Sequence, residues 1–141
     1  MPNAVALAAL VIMLFPVGYF FLASPAFLLV SLEEPPVTQL LRGMFKYHFL
    51  MVTIAGALGT VAFAVAGRPF FAICIALVVV FAIWARRWFL PQMDTQISAR
   101  DAGDAEAVRR LRRLHWEGML CNAIVLVAVV ASIPYVAVTP N

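Results

Sequence analysis

Four long apolar runs decide what this chain can fold into. They cover approximately residues 4–30, 44–66, 69–90 and 114–138. Each run is long enough, at roughly 20 residues or more, to cross a hydrocarbon core of about 30 Å as a helix. Because lipid offers no partner to a free N–H or C=O group, a spanning segment must be helical. We therefore predict an all-α membrane protein, a single domain over residues 1–141 folded as a four-transmembrane-helix antiparallel bundle.

The composition supports a membrane protein rather than a soluble one. Hydrophobic residues make up 65% of the chain and charged residues 12%, whereas charged residues are about a quarter of a soluble domain. The first run is expected to be a true span, because residues 1–14 carry no Lys or Arg, as a signal peptide would. The two cysteines, Cys74 and Cys121, lie inside apolar runs and form no CxxC motif.

The basic residues predict the orientation. Among the ten lysines and arginines, Arg68 alone lies in the link between the second and third runs, and the others lie in or beside loops 31–43 and 91–113. Because Lys and Arg concentrate in cytoplasmic loops, both termini are predicted to be non-cytoplasmic, in a multi-pass protein of the cell inner membrane. The net charge of +3 then requires no nucleic-acid partner. The arginines predicted to contact lipid headgroups are Arg86, Arg87, Arg109, Arg110, Arg112 and Arg113.

Prolines and polar residues predict where the helices end. Pro25 is expected near the cytoplasmic end of the first helix, and Pro91 at the start of the third loop. A fourth helix is predicted from about residue 105 to 138, with its first turns extended into the cytoplasm. Asp104 is its expected N-cap, and Glu106 is expected to reach Arg109 and Arg110.

Small residues form one face of the second span. Their spacing of three and four residues allows a neighbouring helix to approach closely. The residues of this predicted helix-packing face are Ala55, Gly56, Gly59 and Thr60.

A few polar residues enter the apolar runs at matched depth. His48 lies about one turn inside the second run, and His115 about one turn inside the fourth. Asn122 follows two turns above His115 on the same stripe, whereas Glu117 points roughly 160° away from it. Ionisable groups at bilayer depth suggest function. One interpretation is a ligand site for haem, a transition metal, a quinone or a lipid headgroup, and a second is a proton relay. The third is hydrogen bonding between helices.

The order of these features resembles a known family. The quoted segments are "SPAF", "FLPQMD" and "RRLHWEGMLCN". They resemble the transmembrane protein 205-like family of small four-helix membrane domains of unknown function. The family positions are Pro25, Pro91, Leu114, His115 and Asn122, while Trp116 and Gly118 replace a basic and a hydroxyl residue of the family signature. The resemblance implies the four-helix fold and supplies no activity.

Two functions follow from these residues. The first is non-enzymatic: an accessory subunit of a membrane assembly that packs against a partner or against itself. The second is a cofactor or ligand binder that uses His48 and His115 on the cytoplasmic side. Transport ranks third, because four spans are few for a lone transporter. No catalytic residue is assigned, because none of the common nucleotide-binding or hydrolase motifs occurs in the sequence.

Overall fold

The computed structural model describes residues 2–138, in which four long α-helices are joined by short connections. Helix α1, Pro2–Ala23, leads into a short 3₁₀ helix, Ser24–Leu28. The others are α2, Pro35–Val65; α3, Pro69–Asp101; and α4, Ala107–Ala137. All four are long and apolar enough to cross a membrane. The structure confirms the predicted all-α membrane protein with four helices.

Buried side chains hold the helices together in two clusters, one towards each end of the bundle. One includes Phe20, Phe45 and Phe89. It lies towards the end of the bundle that carries the α1–α2 connection and the α3–α4 turn. We call this end the arginine end. The other includes Met13 and Phe63 and lies nearer the α2–α3 turn. Large apolar side chains elsewhere face outward, as expected where lipid is the solvent.

The small residues of α2 pack inside the bundle. Gly56 and Gly59 are buried, and both face Ile75 of α3. A Cβ atom added at Gly59 would lie 3.7 Å from the sulfur of Met13 in α1. Thr60 donates its hydroxyl to the Gly56 carbonyl at 2.9 Å. This face therefore brings α1 and α3 close to α2 within a single chain.

Helix α3 does not end at Pro91, so the predicted start of the third loop is wrong. The helix continues through Pro91 to Asp101. Proline in a helix interior costs a hydrogen bond, but the continuation buries Met93 and Ile97 in the same cluster as Leu111 of α4. These side chains lie four residues apart on the buried stripe, so their burial favours a helix on both sides of the proline.

The first predicted loop, 31–43, is also too long, although part of residues 37–45 was expected to form a short helix leading into the second span. Helix α2 begins at Pro35, because proline fits the first helical position, where its missing N–H group has no partner in any case. Thr38 donates to the Pro35 carbonyl at 3.0 Å and is buried. Only residues 29–34 remain between the 3₁₀ helix and α2.

The fourth helix was predicted within two residues of its observed bounds, but Asp104 is not its N-cap. Asp104 lies in the α3–α4 turn, where its carboxylate accepts the Glu106 N–H at 2.9 Å and an Arg110 N–H at 3.0 Å. These two hydrogen bonds hold the pKa of the Asp104 carboxyl below its usual value. Glu106 pairs with Arg109 at 3.3 Å, while Arg110 pairs with Asp104.

Arg68 closes the opposite end of the bundle. Gly67, with φ of +70°, makes the tight α2–α3 turn, a backbone conformation that suits glycine. The turn places the Arg68 guanidinium against the last turn of α4, where it donates to the carbonyls of Tyr135 at 3.1 Å and Val138 at 2.6 Å. A cation at a helix C-terminus is favourable, and here it joins the α2–α3 turn to α4.

Candidate functional site

The two histidines occupy different environments. The His115 side chain is fully buried, and its Nε2 atom lies 2.8 Å from the Ser24 hydroxyl. The His48 ring lies against Phe20, with ring centroids 4.2 Å apart, and against Phe49 at 5.2 Å. His115 therefore joins α4 to the 3₁₀ helix that follows α1, whereas His48 lies between α1 and α2.

Aromatic rings separate the two histidines. The Phe20 ring packs against His48, and its centroid lies 5.2 Å from that of Phe45. The Phe45 ring in turn has its centroid 6.4 Å from that of His115. His48 lines two cavities, and His115 lines neither of them. Within residues 2–138, no group of three His, Cys, Asp or Glu side chains is arranged to hold a metal ion. The two histidines share neither of these cavities, and a common metal or haem site stays a prediction.

Asn122 and Glu117 also lie apart. Asn122 is buried, and its Nδ2 atom donates to the Val17 carbonyl at 3.0 Å. Glu117 faces outward and accepts from Arg113 at 3.0 Å, one helical turn away on α4. Glu117 therefore stabilises the α4 surface, and Asn122 belongs to the bundle interior together with His115.

An apolar groove runs between α1 and α2 on the His48 side. We call this cavity, of about 450 Å³, the α1–α2 groove. A second cavity of about 210 Å³ continues it towards residues 29–34 and shares the walls Phe27 and Leu40. Ligand cavities are typically about 300–1,000 Å³ and mostly apolar, with a few polar groups that orient the ligand. This groove has that size and character.

Four neutral polar side chains line the α1–α2 groove. They are Tyr19, Gln39, Tyr47 and His48, and the side chains that complete the lining carry no charge. The Lys46 ammonium lies 5.7 Å from the centroid of the Tyr47 ring, and Lys46 itself does not line the groove. The groove thus offers aromatic faces and uncharged hydrogen-bond donors to a ligand that enters from the lipid.

Sequence reasoning found His48 but missed the groove. The sequence signal for the groove was a stripe along α2 whose members recur every four residues. The stripe residues that line the groove are Gln39, Gly43, Tyr47 and Met51. The contribution of α1, including Tyr19, depends on how α1 packs against α2. Ser24 was missed as well, because nothing in the sequence near "SPAF" indicates a partner in α4.

Arginines at the arginine end bind the backbone of the connection between α1 and α2. Arg112 donates to the carbonyls of Phe27 and Val30. Arg100 donates to the Leu32 carbonyl at 3.0 Å and to the Thr38 hydroxyl at 2.7 Å. The guanidinium of Arg112, predicted at a lipid headgroup, is thus engaged within the chain.

The remaining arginines lie on the outside of the bundle. Arg42 of α2 forms a bidentate pair with Asp94 of α3. The side chains of Arg109 and Arg113 are 82% and 81% exposed. Arg87 is exposed beside the stacked rings of Trp84 and Trp88, and Arg86 is half-buried on the same helix. These positions suit contact with lipid headgroups, which is still a prediction.

Comparisons of this chain with known protein families, with curated proteins and with solved structures find no match. The resemblance to the transmembrane protein 205-like family therefore stays a prediction that depends on the quoted segments. The function must be argued from the geometry of the chain itself.

Proposed function

We propose that this integral membrane protein binds an isoprenoid quinone of the inner membrane in the α1–α2 groove. The observation that carries the proposal is the combination of an uncharged aromatic lining with His48 at its wall. A quinone head is a flat neutral ring with two carbonyl oxygens, and its tail is apolar. The groove offers both kinds of contact, and its continuation beside Phe27 lengthens the apolar part.

The absence of charge among the lining residues favours a neutral headgroup. An anionic phosphate is bound most strongly by arginine or lysine, and the groove is lined by neither. A carbonyl oxygen needs only a neutral donor, such as the His48 ring, the Gln39 amide or the Tyr47 hydroxyl. The Tyr47 and Tyr19 rings also provide surfaces on which a flat head can stack.

Two other roles have less support. A shared haem or metal would need both histidines, but Ser24 engages His115 and aromatic rings separate it from His48. An accessory subunit would use the small-residue face of α2, but Gly56 and Gly59 already pack against α3. Association with itself or with other membrane subunits stays a prediction, and native electrophoresis in mild detergent tests it.

Binding of a short-tailed quinone to the purified protein tests the proposal. Decylubiquinone is titrated into detergent-solubilised protein and followed by calorimetry. We expect saturable binding, and we expect the variant His48→Phe to weaken it by about tenfold, the value of one lost hydrogen bond of about 1–1.5 kcal/mol. Phe at this position keeps an aromatic ring against Phe20 and removes only the ring nitrogens.

The matched control is Tyr135→Phe. Tyr135 is 72% exposed at the opposite end of the bundle and does not line the groove. This variant should bind as the wild type does. If decylubiquinone does not bind, or if His48→Phe binds as tightly as Tyr135→Phe, the quinone proposal is wrong. Phospholipid recovered in fixed ratio from the purified protein, and not displaced by decylubiquinone, would assign the groove to lipid instead.

A further inference from the structure

A small cavity lies at the centre of the bundle, on the inner side of His48. Its volume is about 20 Å³, and each of the four helices contributes to its wall, with Val17, His48, Val78 and Asn122 as examples. A cavity needs roughly 10–15 Å³ to hold one water molecule, whose share of the liquid is about 30 Å³. The cavity therefore has room for one water and for no larger ligand.

Two polar atoms of the lining residues are unpaired. His48 Nδ1 and Asn122 Oδ1 are buried and have no hydrogen-bond partner among the described residues. Asn122 is 4% exposed, and its Nδ2 atom is already committed to the Val17 carbonyl. Leaving such atoms unpaired costs free energy, and native proteins satisfy nearly all of them.

We infer that one water molecule is bound in this cavity and joins His48 Nδ1 to Asn122 Oδ1. Asn122 Oδ1 only accepts hydrogen bonds, so its partner must be a donor. Water donates two hydrogen bonds and accepts others. It therefore satisfies Asn122 whether His48 Nδ1 carries a proton or a lone pair. A direct hydrogen bond between the two side chains can form only in the tautomer that carries a proton on His48 Nδ1.

The site adds a polar link between α2 and α4 at this level. Through the water, His48 of α2 connects to Asn122 of α4, and Asn122 connects in turn to Val17 of α1. Asn122 also lines an apolar cavity of about 230 Å³ beside Ser24, the partner of His115. The water thus completes a hydrogen-bonded connection among three helices. It does not depend on what occupies the α1–α2 groove.

A high-resolution structure of the purified protein tests the inference directly. We expect a density peak within hydrogen-bond distance of both His48 Nδ1 and Asn122 Oδ1. An empty cavity, or a direct contact between the two side chains, would overturn the inference. This observation needs no variant, so it stands even if the variants below do not fold.

A cavity-filling variant gives an independent test. Val52→Ile adds one methylene at a wall that belongs to the small cavity and not to the α1–α2 groove. In the wild-type background it should expel the water and lower the melting temperature by roughly 2–4 °C. In the Asn122→Leu background, which has no oxygen to satisfy, the same change should cost less.

The control is Val129→Ile, a buried valine of the other core cluster. Its effect should be the same in both backgrounds. An equal loss from Val52→Ile in both backgrounds would mean simple overpacking, and a rise in melting temperature would mean that the cavity is dry. Either result overturns the inference. Neither bears on quinone binding, which His48→Phe tests separately.

Discussion

Gly118 leaves room on α4 for the Phe45 ring of α2. It lies on α4 between His115 and Asn122, and it is buried. A Cβ atom at this position would overlap the ring of Phe45, at its Cε1 and Cζ atoms. The Phe45 ring is itself fully buried and packs against Phe20 and Phe89. The ring therefore has no free space into which to move.

We expect Gly118→Ala to lower the free energy of unfolding by about 1–3 kcal/mol, the usual cost of overpacking a core. Gly18→Ala is the matched control, because Gly18 is helical and a Cβ atom there meets nothing within 4 Å. That change should stabilise the helix by about 0.5–1 kcal/mol. Thermal unfolding in detergent measures both, and equal shifts of the same sign would contradict the assignment of Gly118 to a close helix contact.

At the residue scale, the sequence predicts how far along a helix a side chain lies better than it predicts which neighbouring helix the side chain faces. The positions of His48 and His115 within their apolar runs follow from counting residues, and both lie where the runs meet the arginine end. Which neighbour each ring meets depends on helix rotation, and Phe20 and Ser24 come from a helix distant in sequence. Asn122 was correctly expected on the His115 side of α4, because a single helix fixes that relation by itself.

At the element scale, helix ends were predicted least well at Pro91 and Pro35. Pro91 and Pro35 were expected to lie at or in loops, but one lies inside α3 and the other begins α2. The stripe of Phe89, Met93 and Ile97 was the better signal, since burial of three apolar side chains outweighs one lost backbone hydrogen bond. The antiparallel arrangement of α2 and α3 follows from the sequence alone, because the link between the second and third runs is too short for any other arrangement.

Arg112 holds the backbone of the segment between α1 and α2 in place. Its guanidinium supplies hydrogen bonds to two carbonyls, those of Phe27 and Val30, which lie beyond any helical partner. We expect Arg112→Gln to lower the free energy of unfolding by about 1.5–3 kcal/mol, the value of hydrogen bonds made by a charged group. Amide hydrogen exchange over residues 29–34 should become faster.

The control for Arg112 is Arg109→Gln, three residues earlier on the same helix. The Arg109 side chain is 82% exposed and pairs only with Glu106 on the surface. Its removal should change stability by less than about 0.5 kcal/mol. If both variants exchange at the wild-type rate over residues 29–34, Arg112 does not hold this segment and its headgroup role becomes the better interpretation.

At the scale of the whole molecule, charge is divided between the two ends of the bundle. Arg68 is the one basic residue that the sequence places in the α2–α3 link. Arg68 is 8% exposed, and its guanidinium donates to the carbonyls of Tyr135 and Val138. It therefore acts in packing rather than as a free loop charge. The difference in basic loop charge between the two ends of the bundle is therefore larger, and the predicted orientation depends on this difference.

Fusions at the C-terminus of the full chain test that orientation. We expect alkaline phosphatase, which needs an oxidising compartment for its disulfides, to be active there, and a fluorescent protein to remain dark. Arg68→Gln should leave both readouts unchanged and lower the melting temperature, because the carbonyls of Tyr135 and Val138 lose their donor. A bright fluorescent fusion with an inactive phosphatase would place the arginine end outside the cytoplasm. The α1–α2 groove would then lie towards the opposite face of the membrane, since His48 and the arginines lie towards the same end of the bundle.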